Sequence, residues 1–337
     1  MTPGPISAID GGLHAQRRRL GRSDLRVYPL AFGGNVFGWT VDAATSHSLL
    51  DAFIDRGGNL IDTADVYSAW LPGNSGGESE RIIGDWIANG GRRDGVLIAT
   101  KVGLHYAPGT ARQHHKRKPL TRATLERGVE ASLRRLRTDY IDLYQSHFED
   151  PSTPIEETLT AYESLVQRGL VRTIGASNYG APTLTTALHT SDKRGLPRYE
   201  SLQTLYNLHD RTDFEDAMLP LCQAEDIGVL TYFSLASGFL TGKYRSHEDL
   251  KSSLRGDGLG KYMTPRGFRI LDALDAAAQH MGVTPAQVAL SWVLARPGVT
   301  AALCSATSLS QLSQLFAACD IELDAQCLKA LDLASQT

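Results

Sequence analysis

At 337 residues, 42% of them hydrophobic and 21% charged, the chain has ample core-forming material and the composition of an ordinary soluble globular protein. Its 34 basic side chains nearly balance 37 acidic ones, which excludes a broad nucleic-acid surface. No apolar run approaches the roughly 20 residues that cross a bilayer.

The Gly/Pro-punctuated start lacks an apolar segment after a basic one, so it does not read as a secretory signal. Residues 1–16 read as a flexible extension, and 17–337 as one domain without internal repeat. Arg17-Arg18-Arg19 is too short for a nucleic-acid patch. Four cysteines without CxxC spacing (Cys222, Cys304, Cys319, Cys327) suit a reducing, cytoplasmic compartment.

From there, strand-like apolar runs alternate with helix-like stretches, the pattern of βα units on a parallel sheet. Strands are predicted over 28–33, 59–63, 96–101, 141–146, 172–176, 201–206, 228–233 and 301–305. Eight is the number that closes a (β/α)8 barrel. The competing open, doubly wound sheet would want a GxGxxG turn after its first strand, and none is there. Asp42 is placed to cap a helix carrying Leu49, Leu50, Phe53 and Ile54. Leu125, Val129, Leu133 and Leu136 share one helical face, with Arg134, Arg135 and Arg137 crowding its last turn. Thr153-Pro154-Ile155-Glu156 and Thr284-Pro285-Ala286-Gln287 both read as capping boxes with proline at the first helical position.

Three connections, 68–78, 103–120 and 240–265, are longer than a tight barrel loop needs. Each leaves the C-terminal end of a strand, where barrel enzymes build their sites. His114-His115 is a poor metal site, because adjacent histidines point apart and Lys116, Arg117 and Lys118 repel a cation.

The chemistry concentrates at strand ends. GNLIDTADVY (58–67) runs apolar and then turns polar at Asp62, with Tyr67 just beyond. The next run ends in Thr100-Lys101, and the one after in Gln145-Ser146-His147. A free tyrosine has a pKa near ~10 and yields its proton poorly at neutral pH. A nearby lysine would lower that value, and a carboxylate would hold the lysine in place.

These residues, with the wording IDTADVY, IATKVG, DYIDLYQSHFED, GASNY and LASGFLTGKY in ordered succession, resemble the aldo-keto reductases over about 20–335. The resemblance implies a (β/α)8 barrel and a catalytic quartet of Asp62, Tyr67, Lys101 and His147. It implies hydride transfer between a nicotinamide cofactor and an aldehyde, ketone or alcohol, with Tyr67 as general acid and His147 orienting the substrate oxygen. The segment RRLGRSDLRVYPL, alternating around Ser23-Asp24, resembles the hairpin that plugs this family's barrels.

For the cofactor, the resemblance implies that Ser177, Asn178 and Gln203 hold the carboxamide and that Tyr232 stacks on the ring. Phe233, Ser234, Leu235, Gly238, Leu240 and Lys243 would then form the clamp over the pyrophosphate. Departures cluster at the adenosine end. Ser305-Ala306-Thr307 stands where glycine-alanine-arginine is common, Gln314-Leu315 where glutamate-asparagine is usual, and Gln311 alone is retained. Lys243 and Arg245 are then the expected partners of a 2′-phosphate, with NADP(H) preferred over NAD(H). Trp39, Trp70 and Tyr106 suggest an aromatic-walled pocket for a sugar ring or an aromatic aldehyde. Two other readings stand beside the reductase: a cofactor-binding regulatory subunit like the potassium-channel beta subunits, and a lyase or isomerase using Lys101 as a Schiff base.

Overall fold

The computed structural model describes residues 16–90, 92–106, 115–251 and 258–336. Most of the expected N-terminal extension, His114 and the middle of the long seventh connection lie outside these residues. The eight predicted runs form one closed, parallel barrel in sequence order. Its strands are β1 (Leu30–Gly33), β2 (Leu60–Asp62), β3 (Leu97–Val102), β4 (Ile141–Ser146), β5 (Val171–Ser177), β6 (Tyr199–Leu205), β7 (Gly228–Tyr232) and β8 (Val299–Cys304).

The alternating direction of side chains along these strands divides the apolar residues into two shells. Ala31, Leu60, Ala99, Leu143, Leu230, Ala301 and Leu303 pack together with Leu20, Leu25 and Val27, which belong to the Arg18–Arg19/Arg26–Val27 hairpin and its turn. That antiparallel hairpin is the expected N-terminal element, and its side chains close the lower end of the barrel. Residues of the opposite parity, such as Phe32, Ile61, Ile98 and Leu202, face the surrounding helices. Each fully buried leucine or phenylalanine contributes about 1.5–3 kcal/mol of transfer free energy, so this double shell dominates stability.

Helices α1 (Ala43–Asp55), α2 (Glu78–Ala88), α3 (Arg122–Leu136), α4 (Ile155–Gln167) and α5 (Ala181–Arg194) follow the first five strands. Next come the short α6 (Leu219–Ala224), then α7 (Pro265–Met281), α8 (Pro285–Leu294), α9 (Leu309–Ala317) and α10 (Ala325–Ser335). Asp42 caps α1 by accepting from the Thr45 N–H at 2.8 Å. The capping box of α8 is complete: Thr284 Oγ1 accepts from the Gln287 N–H, and Gln287 Oε1 accepts from the Thr284 N–H. The first predicted box fails. Pro154 itself occupies the cap position of α4, and the Thr153 hydroxyl turns to Asp150 instead.

The arginines at the end of α3 also do more than meet a helix dipole. Arg135 Nε donates to Glu80 Oε2 at 2.6 Å, Arg137 pairs with Asp85, and Glu80 Oε1 accepts from Thr100. This ties α2 and α3 to the third strand just beneath the site. Gly84 makes the approach possible, since a Cβ there would meet the Arg135 carbonyl oxygen.

Candidate active site

At the C-terminal ends of the strands lies a cavity of about 1200 Å³. Asp62, the last residue of β2, is held there by parallel pairing with Gly33 on one side and Ala99 on the other. Lys101 on β3 is fully buried beneath the floor. Its ammonium donates three hydrogen bonds: to Asp62 Oδ2 at 2.6 Å, to the Thr63 carbonyl at 2.9 Å and to Tyr67 Oη at 2.8 Å. An ammonium has three hydrogens, so its capacity is filled. Burial alone would lower the Lys101 pKa. The negative charge of Asp62 and the phenol of Tyr67 reverse that and hold it above the usual lysine value.

The phenol accepts from Lys101 and, as a hydroxyl, carries a hydrogen that it can donate. His147 follows β4, its ring edge-on to Tyr67 with centroids 6.2 Å apart. The second oxygen of Asp62 accepts from Gln203 Nε2 at 2.8 Å and from Gln145 Nε2 at 3.2 Å. These two amides place donors from β4 and β6 on a carboxylate of β2.

Most of the remaining predicted residues do converge on the cavity. Ser177, Asn178, Gln203, Tyr232, Phe233, Ser234, Leu235, Gly238, Lys243, Ser305, Thr307 and Gln311 all line it, as do Trp70 and Tyr106. Asn178, however, is turned to protein partners. Its Oδ1 accepts from the Tyr232 hydroxyl at 2.6 Å, while its Nδ2 donates to the His147 carbonyl and to Ser177 Oγ. Burial pushes the Tyr232 phenol up to about 12, so it stays a donor at ordinary pH. Gln311 reaches back to the turn, where its Oε1 accepts from the Thr307 N–H and hydroxyl.

Besides Lys101, beneath the floor, three predicted residues do not line the cavity. Arg245 Nη2 donates to both carboxylate oxygens of Asp275 on α7, at 2.8 and 2.6 Å, and Nε donates to the Gly242 carbonyl. Leu240 is fully buried in the core of the seventh connection. Trp39 stands behind Trp70, edge-on with ring centroids 5.6 Å apart. Lys243 is therefore the single lysine or arginine among the described lining residues.

The structure also brings in residues that sequence reading passed over. Asn35 and Cys304 flank the ends of β1 and β8, Phe148 and His115 join the aromatic wall, and residues 284–287 at the start of α8 enter the outer end. Asn35 and Phe148 follow the same strand-end logic that singled out Asp62 and His147. Another signal is conformational. Asn178, Phe233 and Ser237 have left-handed backbones with φ of 55°, 51° and 57°, and all three line the cavity. Such conformations are costly for non-glycine residues and concentrate where ligands are gripped.

The family model described as "Aldo/keto reductase family" matches residues 29–336. "Uncharacterized oxidoreductase YrpG" of Bacillus subtilis (strain 168) is 35% identical over 317 residues, covering 93% of this chain and 94% of the relative. "Aldo-keto reductase YhdN" of the same organism is also 35% identical, over 92% of this chain and 86% of its own length. A "Probable voltage-gated potassium channel subunit beta" of Arabidopsis thaliana is 34% identical, with 91% and 92% covered.

Proposed function

The chain belongs to the aldo/keto reductase family, and on that premise we propose that it reduces an aldehyde or ketone with NAD(P)H, Tyr67 being the proton donor. The observation that carries this is the buried Asp62–Lys101–Tyr67 chain opening on the cavity floor.

The cavity fits the cofactor. At about 1200 Å³ it exceeds what a drug-sized ligand fills, leaving room for a dinucleotide and a small substrate together. Ser177 and Gln203 offer polar groups at the deep end, and the N-termini of α8 and α9 offer partial positive charge at the outer end. When bound, the reduced nicotinamide supplies the hydride that forms the new C–H bond. Tyr67 gives its phenolic proton to the carbonyl oxygen, and the Lys101 ammonium stabilises the phenolate left behind. Asp62 fixes that ammonium. His147 orients the substrate oxygen. A proton from solvent then restores the phenol, and the reverse sequence oxidises the alcohol.

For cofactor choice we favour NADP(H), with a modest margin over NAD(H). Among the described lining residues Lys243 is the lysine or arginine within the cavity, whereas Arg245 is turned to Asp275. The walls formed by Trp70, Tyr106, Phe148 and His115 suit a flat substrate such as a sugar ring or an aromatic aldehyde. The likeness to channel beta subunits supports a second reading, in which the same site binds cofactor in a regulatory subunit.

The test is a screen of aldehydes, ketones and sugars with NADPH and NADH, followed at the nicotinamide absorbance. Turnover that disappears in Tyr67→Phe supports the reductase. Tight cofactor binding without turnover of any carbonyl supports the regulatory reading.

A further inference from the structure

Asp62 stands between two sets of donors. Its Oδ2 faces Lys101, and its Oδ1 faces two carboxamides. Gln203 Nε2 donates one hydrogen to Asp62 at 2.8 Å and the other to Gln145 Oε1 at 3.2 Å, while Gln145 Nε2 donates to Asp62 at 3.2 Å. The three residues come from β2, β4 and β6, and none is more than 3% exposed. The orientation of both amides follows from chemistry. Flipping either one would set a carbonyl oxygen against a carboxylate oxygen with no hydrogen between them.

This leaves the two glutamines in different positions. Gln145 has its oxygen on Gln203 and its nitrogen on Asp62, and it does not line the cavity. Gln203 uses both amide hydrogens inside the chain, so its Oε1 is the end that meets the cavity. A hydrogen bond accepted by that oxygen polarises the amide and strengthens the bonds that its hydrogens make to Asp62 and Gln145. Charge drawn from Asp62 by the amides is charge that no longer offsets Lys101, and Lys101 is the cation against the Tyr67 oxygen.

We propose that Gln145 is a positioning residue, completing with Gln203 a carboxamide bridge that couples the seat of the nicotinamide amide to the Asp62–Lys101–Tyr67 chain. The inference rests on the reductase reading for the identity of the ligand at Gln203. Gln145 acts through Asp62 and touches neither substrate nor cofactor. Removing it takes one donor from the carboxylate, ties Lys101 more closely to Asp62 and makes the Tyr67 phenolate harder to form.

The test compares wild type, Gln145→Leu and Tyr67→Phe by ultraviolet titration of phenolate in the protein without cofactor, the last variant identifying the Tyr67 signal by difference. In Gln145→Leu the Tyr67 transition should move upward by on the order of one pH unit, a tenfold loss of phenolate at a given pH. Affinity for NADP+, read by protein fluorescence, should stay within about twofold because Gln145 is outside the cavity. Saturating NADP+ should shift the Tyr67 transition in wild type more than in Gln145→Leu.

A superimposable titration and an equal cofactor-induced shift in the two proteins would overturn the proposal and leave Gln145 as packing. If Gln145→Leu does not fold, Gln145→Met keeps the length of the side chain and offers no donor to Asp62. The Tyr67 transition should move upward to the same extent, and its absence would be equally fatal. The titration requires no substrate, so a wild type that reduces no carbonyl would defeat the reductase reading while the phenolate transitions still decide for or against the bridge.

Discussion

At the deep end of the cavity the decisive side chains sit on strands, whereas at the outer end they sit on loops and helix starts. Asp62, Lys101, Gln145 and Gln203 are placed by four strands of one barrel, and every bond among them is 3.2 Å or shorter. Lys243, Thr307 and Gln311 instead depend on the seventh connection and the first turn of α9. In the interior, charge is balanced by charge at contact distance, as a buried ion requires. Toward the mouth, water can share the task, and among the described lining residues the positive groups are one lysine and two helix N-termini. Substitutions should accordingly be costly in the first region and tunable in the second.

The sharpest contrast is expected for Lys101→Met. It strands the Asp62 carboxylate without its cation and removes the group that stabilises phenolate. We expect kcat to fall at least as far as in Tyr67→Phe, by about a thousandfold, within the range general acids contribute. Breaking a buried pair on one side also costs about 3–5 kcal/mol of stability, which thermal melting would register. Wild-type activity in this variant would erase the distinction between the two ends.

Asp62→Asn should be milder, about tenfold to a hundredfold in kcat, because it keeps a polar partner for Lys101 and acts only through it. A loss equal to that of Lys101→Met would mean that the carboxylate has a direct role.

At the outer end, Thr307→Arg introduces the guanidinium that family members commonly carry. One charge-assisted hydrogen bond contributes about 1.5–3 kcal/mol, so NADPH affinity should rise roughly tenfold or more while NADH changes little. Lys243→Ala should weaken both cofactors by several-fold, because pyrophosphate is common to them. Fluorescence titration at two salt concentrations reads both, and the NADPH margin should shrink at high salt. Equal or tighter NADH binding by wild type at low salt would show that Lys243 does not reach the 2′-phosphate.

The smallest effect concerns Asp65, on the loop between Asp62 and Tyr67. Its Oδ1 is buried without a hydrogen-bond partner. Burial, and then the charge of Glu80, push this carboxyl up to about 7 from an ordinary 3.8. A carboxyl raised in the folded state binds its proton more tightly there than in the unfolded chain. Its favourable contribution is full below about pH 4 and is lost as pH rises through 7. Asp65→Asn has no charge to bury. Its melting temperature should therefore gain on wild type by a few degrees between pH 5 and pH 8, and parallel pH profiles would contradict the shift.

The same two regions account for what could be read in the sequence. Buried strands announce themselves as apolar runs, and the polar residue that breaks off such a run is placed by the barrel itself. Asp62, Lys101 and His147 were legible for that reason, and Gln145 stood in the same position without its partners being apparent. Arg245 was not legible. Its pairing with Asp275, thirty residues further along, depends on how the seventh connection packs against α7. Trp39 and Leu240 fell on the right segments, but backbone direction turned one behind Trp70 and the other into the core. The failed cap at Thr153 is similar in kind, since Pro154 took the cap position and released the threonine to Asp150.

The N-terminal hairpin, which fills the lower end of the barrel with Leu20, Leu25 and Val27, also bears on traffic. A barrel stoppered below is a cul-de-sac at that end, so whatever occupies the cavity comes and goes through the face built by the strand C-termini. On the reductase reading, the ligand that lodges deeper, against Gln203, is then the one that arrives first and leaves last.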